Sequence, residues 1–548
     1  MYVRTISRHN KDGTTTTYVQ LAHNVRDPKS GFARAQVLYT FGRADTLDVD
    51  ALRRLVRSLC RFISPEDALQ AQASLASPGL QFRKSAPMGG AYLLRTLWER
   101  LGLHSVLREA LKKREFAFAV EWAIFAMVAN RALAPDSKRG VEEWVREDVA
   151  LGNPEPISIQ HLYRAMDFLL EHQEAVQKEV FFSTANLFNL EVDLLFFDTT
   201  TTYAECEEEE GIRQYGHSKD KRPDLPQVVI GLAVTKEGLP VRCWVLPGAT
   251  QDMTTVERVK TDLLGWKLSR CIWVMDRGMN SEENRIILQR AGGHYILGEK
   301  LRDSQQAHKE ALSFKGRFKK VKDNLEVKEI VVGEGERRRR FVLVFNPEQA
   351  KKDNATRERT LQRVEEEIKA LGDQRGKAHK KAVCALLSHR TMGRFVKQTR
   401  SGRLRINWAK VREEQTLDGK YLLSTSDDTL SAEDVASGYK QLMEVERAFR
   451  TLKTTLELRP LYHRKDERIQ AHVLLCYLAL LLVRIAERET GETWDRIRSI
   501  MERCHLGEFS SKDGRILQRT ELTADQANIL KRLNIASPPR VYDVHLKA

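Results

Sequence analysis

The sequence predicts an α/β protein: a mixed sheet in one layer with helices packed on it, a mostly helical region before it and a β-rich insertion within it. Three observations lead there. From residue 191, apolar β-branched runs alternate with amphipathic stretches. Residues 88–190 instead carry apolar side chains at i, i+3, i+4 spacing. Residues 301–425 break both rhythms with short strand-like runs around one long charged helix.

In chain order, TTTTYVQLAHNVR and ARAQVLYTFG read as strands joined by a DPKSG turn, and LDVDALRRLVRSLCRFI as an amphipathic helix. Residues 64–90, rich in Ser, Ala, Pro and Gly, read as a linker. Helices follow at GGAYLLRTLWERLGLHSVLREALKK, FAVEWAIFAMVANRAL and SIQHLYRAMDFLLEHQEAVQKEVF, with a break at Pro135-Asp136-Ser137. EVDLLFFDTTTTY is an apolar run ending in Asp198. QVVIGLAVT and LPVRCWVLPG, joined by KEG, form a hairpin signal. RCIWVMDRG is a second strand run, ending in Asp276, and SEENRIILQRAG is a helix opened by a Ser N-cap. In the insertion, NLEVKEIVVG, RRRRFVLVFN and several runs in GRLRINWAKVREEQTLDGKYLLSTS read as strands, and Arg337 to Arg340 suit a phosphate-facing surface. The apolar run Val473–Val483 is far short of the roughly 20 residues that span a bilayer, so it reads as a buried helix. TADQANILKRL closes the chain as a helix.

Composition narrows the function classes. The 548 residues contain 90 Lys+Arg against 75 Asp+Glu, a net charge of +15, which favours a polyanionic partner, nucleic acid first. Seven scattered cysteines form no C-x-x-C pair, which argues against a disulfide framework or zinc knuckle and for a reducing compartment. The N-terminus has no apolar signal run. The expectation is a soluble intracellular protein.

The stretch Tyr439–Lys453 reads as one helix with two faces. At 100° per residue, Leu442, Val445, Phe449, Leu452 and Leu456 form an apolar stripe, and Tyr439, Glu446, Arg450 and Lys453 form a second, polar one. Alone, that face is most simply a solvated Glu–Arg pair. Asp198 and Asp276 change its weight. If their strands are neighbours, the two carboxylates meet at the strand ends, where α/β sheets place ligands. Clustered carboxylates repel and need a cation, and all-oxygen donors select Mg²⁺ or Mn²⁺. With Glu446 from a facing helix, two ions about 3.5–4 Å apart would suit in-line displacement at phosphorus.

The chain resembles the DDE transposases of bacterial insertion sequences, in the branch that carries a β-rich insertion before the catalytic Glu. The resemblance rests on FFDTTTTY, the Asp-Arg-Gly at 276–278, VERAFRTLK, and a Y-x2-R-x3-E-x6-K signature matched at Tyr439, Glu446 and Lys453. It departs at the Arg position, which is Leu442 here; Arg450 is the nearest substitute cation. The resemblance implies a ribonuclease-H-like catalytic core in which Asp198, Asp276 and Glu446 are catalytic and bind two Mg²⁺ ions, Mn²⁺ substituting. It implies cut-and-paste transposition: phosphodiester hydrolysis at terminal inverted repeats, then strand transfer. Lys453, Arg450 and Arg277 would contact phosphates, and Tyr439 distorted DNA. His217, Lys219 and Lys221 read as an exposed loop or further DNA contacts. The implied partners are double-stranded DNA, both repeats and target, and a second copy in a paired-end homodimer, with no membrane. The implied location is the bacterial cytoplasm, nucleoid-associated when on DNA. The residues themselves divide the chain into 1–65, a small β-hairpin plus helix; 88–190, a helical domain that reads as DNA-binding or as purely structural; 191–300 with 426–510, the core; 301–425, the inserted β-rich subdomain; and 511–548, a C-terminal tail. Two other readings stay open: another ribonuclease-H-like Mg²⁺ nuclease, and a catalytically silent DNA-binding descendant of a transposase.

Overall fold

The computed structural model describes residues 1–11, 13–26, 33–59, 62, 64, 80–112, 114–152, 156–188, 194–266, 271–302, 306–314, 316–335, 338–372, 376–511 and 514–546. The DPKSG turn, most of the 64–90 linker and Arg337 lie outside them. The chain forms two compact units, one of residues 1–84, 508–517 and 543–548, the other of residues 85–507 and 518–542.

In the first unit, β1 (Tyr2–His9), β2 (Thr15–Arg26) and β3 (Ala33–Arg43) form an antiparallel sheet, followed by α1 (Val49–Leu59). The sequence implied a hairpin; YVRTISRH adds a third strand because its β-branched and aromatic residues pair along β2 from Tyr2↔Ala22 to His9↔Thr15. Gly13, at φ 84°, turns the chain between β1 and β2.

The second unit opens with β4 (Gln81–Pro87, its last residues) and six helices: α2 (Gly89–Arg100), α3 (Leu103–Leu111), α4 (Val120–Leu133), α5 (Lys138–Glu143), α6 (Ile159–Glu171) and α7 (Gln173–Phe188). Ser137 caps α5, its hydroxyl accepting from the Gly140 N–H at 3.0 Å, which explains the helix start after the Pro-Asp-Ser break. The sheet follows: β5 (Leu194–Tyr203), β6 (Gln227–Thr235), β7 (Pro240–Pro247), α8 (Thr255–Leu264), β8 (Ile272–Met275), α9 (Glu282–Gln289) and β9 (His294–Glu299). Next come α10 (Gln306–Ser313), β10 (Lys319–Lys322), β11 (Leu325–Val332), β12 (Arg339–Phe345), α11 (Pro347–Gly372), α12 (Gly376–Ser388), β13 (Val396–Gln398), β14 (Leu404–Ile406), α13 (Trp408–Gln415) and β15 (Lys420–Thr425). The chain then runs through α14 (Ala432–Lys440), α15 (Met443–Thr454), α16 (Asp466–Thr490), α17 (Trp494–Met501), β16 (His505–Ser511), β17 (Gly514–Arg519), α18 (Ala524–Arg532) and β18 (Val541–Leu546).

Nine strands make one mixed sheet in the order β10-β11-β12-β15-β9-β8-β5-β6-β7. β5, β8 and β9 run parallel; the other pairings are antiparallel. Strands of the 301–425 segment therefore continue the sheet beyond β9. Period-two alternation sorts the side chains. Leu195, Phe197, Trp273 and Met275 join Trp244 and Trp266 on one face. Phe196, Ile230 and Val274 join the core on the other face, with α14, α15 and α16.

Helix α16 packs on α4, α6 and β7. It is long and apolar enough to cross a membrane by length and composition, but 89% of its apolar stretch is buried inside the protein. A helix enclosed on all sides is apolar all round, so α16 is a core helix.

Four readings are corrected. Asp198 does not end its strand: Thr199–Thr202 continue β5, buried and paired with β6, because β-branched Thr suits a strand. WAKVREEQ is helix, not strand; Asn407 caps α13, accepting from the Lys410 N–H. The stretch 439–453 is two helices. Leu442 N–H bonds Tyr439 O at 3.0 Å and Glu444 N–H bonds Gln441 O at 2.8 Å, both i→i+3, so a tight turn separates α14 from α15. Such a turn advances about 120° per residue, which shifts Tyr439 out of phase with Glu446. The apolar stripe survives: Leu442, Val445, Phe449, Leu452 and Leu456 are all buried. Arg340 is not a surface residue; it is buried against Glu329 and the Asp427 and Leu430 carbonyls, while Arg338 pairs with Asp428.

Candidate active site

The register of β5 on β8 sets the site. Phe196 pairs with Val274 and Phe197 with Met275, so the next residue of β5, Asp198, and the residue just past the end of β8, Asp276, follow from neighbouring positions. By alternation both belong to the face that α14, α15 and α16 cover. Helix α15, which carries Glu446, packs on β5.

Asp198 accepts from the Thr199 N–H at 2.7 Å and has the Lys219 ammonium at 4.0 Å. Burial pushes its carboxyl up to about 6, Lys219 opposes the shift, and the charges of Asp252 and Asp276 add to it. Asp276 accepts the Tyr439 phenol at 2.9 Å. Burial first, then the Asp276 charge, pushes that phenol up, so Tyr439 stays a hydrogen-bond donor. Gly298 on β9 makes this contact possible: a Cβ there would collide with the Tyr439 hydroxyl and lie 3.1 Å from the Arg277 N. Beside Asp276 lies a cavity of about 660 Å³ lined by Arg277, Lys300, Lys420, Tyr421 and Tyr439 among others.

The remaining candidates divide. Glu446 and Arg450 are exposed on α15, and neither side chain has a hydrogen-bond or ion-pair partner among the described residues. Arg277 is exposed at the cavity. Lys453 is nearly buried and donates to Asp220 at 2.8 Å. Among the described residues, no group of three His, Cys, Asp or Glu side chains stands in metal-holding geometry. Asp198 and Asp276 are brought together; Glu446 is on the covering helix without contact to them.

Asp252 and Asp220 escaped the sequence reading, and Lys219 was placed only in a loop that is exposed or touches DNA. Asp252, in the turn after β7, accepts the Thr199 hydroxyl and lies 3.5 Å from the Lys219 ammonium. Its signal was an acid at a strand exit. Lys219, read as part of an exposed loop, donates to the Thr199 carbonyl at 2.7 Å and hydroxyl at 3.0 Å. Asp220 was hidden as an acid in the otherwise basic SKDKR run.

Adjacent carboxylates on neighbouring parallel strands, in a chain of net charge +15, put this protein in the class of basic α/β proteins with an acidic centre. The chain belongs to the transposase DDE domain family, whose model matches residues 192–482, and its first part matches the IS1634 family transposase N-terminal domain at residues 3–69. It is a DDE transposase of a bacterial insertion sequence; it binds DNA and its activity is DNA transposition. No curated protein matches the chain. Among solved structures, it is similar to the piggyBac transposase synaptic complex with hairpin DNA, seen by cryo-electron microscopy. The identity is 10% over 77% of this chain and 82% of that one, with a TM-score of 0.35, too low to support any statement about this chain.

Proposed function

We propose that this transposase cuts and pastes its element by phosphodiester hydrolysis and strand transfer at terminal inverted repeats, with Asp198, Asp276 and Glu446 as its catalytic carboxylates. The observation that carries the reading is the β5–β8 register, which sets Asp198 beside Asp276 on the face that α15 covers. The hairpin β6–β7 on one side of β5 and the parallel strands β8 and β9 on the other support a ribonuclease-H-like core. We retain the division into a core of residues 191–300 and 426–510, an insertion of 301–425, a helical DNA-binding domain of 88–190 and flanking segments 1–65 and 511–548.

The donors fit a hard divalent cation. All are carboxylate oxygens, the donor type hard divalent cations take, and Asp252 and Asp276 lie close enough for their charges to add to the burial that raises Asp198. Asp198, Asp276 and Glu446 would hold Mg²⁺, two ions by the family resemblance, with Mn²⁺ as the alternative. When bound, such ions supply charge stabilisation and an activated oxygen nucleophile at phosphorus. The chain's own groups do the rest. Tyr439 fixes the Asp276 carboxylate by its hydrogen bond. Arg277, exposed next to Asp276, and Arg450, exposed on α15, meet the DNA backbone. Because two ends are joined in one reaction, a homodimer is the proposed active form, and its place is the cytoplasm.

The test is Mg²⁺-dependent nicking of a labelled duplex carrying the inverted repeat that flanks the reading frame, wild type beside Glu446→Gln. Cleavage at the repeat boundary by the wild type alone is expected. Specific binding without cleavage by either protein, in Mg²⁺ or Mn²⁺, would overturn the reading in favour of a silent DNA-binding descendant.

A further inference from the structure

The loop between β5 and β6 ties the two halves of the acidic centre together. Consecutive residues reach in opposite directions. Lys219 is fastened to β5: its N–H donates to the Thr201 hydroxyl at 2.7 Å and its ammonium to the Thr199 carbonyl at 2.7 Å. Asp220 is fastened to the other side: its Oδ1 accepts Lys453 of α15 at 2.8 Å and Arg459, just beyond α15, at 2.5 Å. The next residue, Lys221, is held at φ 59°, a left-handed conformation uncommon for a long side chain and typical of strained positions at functional sites.

The pairing is a poor device for stability alone. The Asp220 side chain is 4% exposed, both cations share one of its oxygens, and the other oxygen is buried with no hydrogen-bond partner among the described residues. A buried ion pair with an unmet oxygen contributes less to folding than an apolar pair of the same size. It does hold a lysine in one place. Lys453 is 11% exposed; burial, with the charges of Arg459 and Lys219, holds its ammonium below the usual lysine range, and Asp220 opposes that shift in part.

We propose that Lys219–Asp220 is a positioning dipeptide: Asp220 holds the Lys453 ammonium in the orientation in which it meets a DNA phosphate beside Asp198, and Lys219 anchors that hold to β5. The inference rests on the active-site reading above. Asp220 is a positioning residue, since it acts through Lys453 and touches no substrate. Its charge opposes DNA, so its loss does not weaken binding; it frees Lys453 and slows the reaction.

The experiment uses full-length protein, the labelled repeat duplex and single-turnover cleavage in Mg²⁺, with duplex affinity measured in EDTA. Asp220→Asn is expected to lower the cleavage rate about 10- to 100-fold, the scale of a misplaced reacting group, with affinity equal to or tighter than wild type. A merely structural role would lower both. The double variant Asp220→Asn/Lys453→Met is expected to cleave within about threefold of Lys453→Met, because residues in one pathway are not additive. That pair also removes both buried charges, so the comparison stands even where Asp220→Asn alone fails to fold. Wild-type cleavage by Asp220→Asn, or a double variant far slower than Lys453→Met, would overturn the inference. Asp198→Asn serves as the control: if it is inactive while Asp220→Asn is normal, only this inference fails; if it cleaves, the active-site reading fails with it.

Discussion

The proposed acidic centre has a half set by strands and a half carried on a helix, and the two are prepared differently. Asp198 and Asp276 are placed by the hydrogen-bond register of β5 and β8, and each already has partners: Thr199 and Lys219 for one, Tyr439 for the other. Glu446 is exposed on α15 with no partner among the described residues, while its neighbour one turn-pair on, Lys453, is locked to Asp220. A register is rigid because slipping it by one residue turns every side chain to the other face. A helix set on apolar packing can pivot at lower cost. Under the proposed reading, Asp198 and Asp276 are preorganised, and Glu446, on the helix held through Lys453, joins them when DNA and cation bind.

The sharpest way to break the comparison is to remove each half in turn. Asp198→Asn, Asp276→Asn and Glu446→Gln are each expected to lower cleavage by about 10³-fold or more, as for groups that act as a unit. Cleavage by Glu446→Gln within tenfold of wild type would remove the helix half from the site. The pH dependence tests the strand half. Without a cation Asp198 is raised to about 6, and a bound cation opposes its protonation, so cleavage in Mg²⁺ is expected to decline only as pH falls below 6. Folding gives the opposite sign. Between the ordinary carboxylate range and pH 6 the folded state binds more protons than the unfolded one, so the ionised Asp198 costs stability above pH 6. In metal-free buffer, Asp198→Asn is therefore expected to raise the thermal midpoint at pH 7 and leave it unchanged at pH 4. A lower midpoint at pH 7 would refute the buried-charge account.

Smaller effects sharpen the link between the halves. Gly298→Ala puts a methyl where the Tyr439 hydroxyl lies, and is expected to slow cleavage about fivefold by moving a hydrogen bond of about 1 kcal/mol off Asp276. Tyr439→Phe should match it; a Gly298→Ala defect without a Tyr439→Phe defect would point to Arg277 instead. The least effect is expected at the start of α14. Ser431 caps that helix in a capping box with Asp434, so Ser431→Ala should cost about 1 kcal/mol in denaturant unfolding and leave cleavage rates unchanged.

Much of this molecule was legible from local pattern. The apolar stripe of α15, the KEG hairpin, the Ser281 N-cap of α9 and the helix at TADQANILKRL each depend on neighbours within a few residues, and each is present. The chemical types at Asp198, Asp276 and Glu446 were equally visible, and the family match extends over the stretch that holds them. Local reasoning failed where two elements compete. The threonines after Asp198 read as a strand end and instead pair with β6. The helix through Tyr439 read as continuous and instead breaks before Met443, because Tyr439 is drawn to Asp276 while Leu442 turns into the core.

By itself, then, the sequence determined the layer architecture, the basic charge and the identity of the acids, since these follow from residue type and period. Only the tertiary structure decided which acids share a face, that Asp252 joins them, and that Lys453 is held by Asp220. Those facts depend on strand register and on side chains more than two hundred residues apart in the chain, as Asp220 and Lys453 are. Periodicity carries no information about such pairs, because many partners share the same charge and pattern, and only the packed sheet chooses among them.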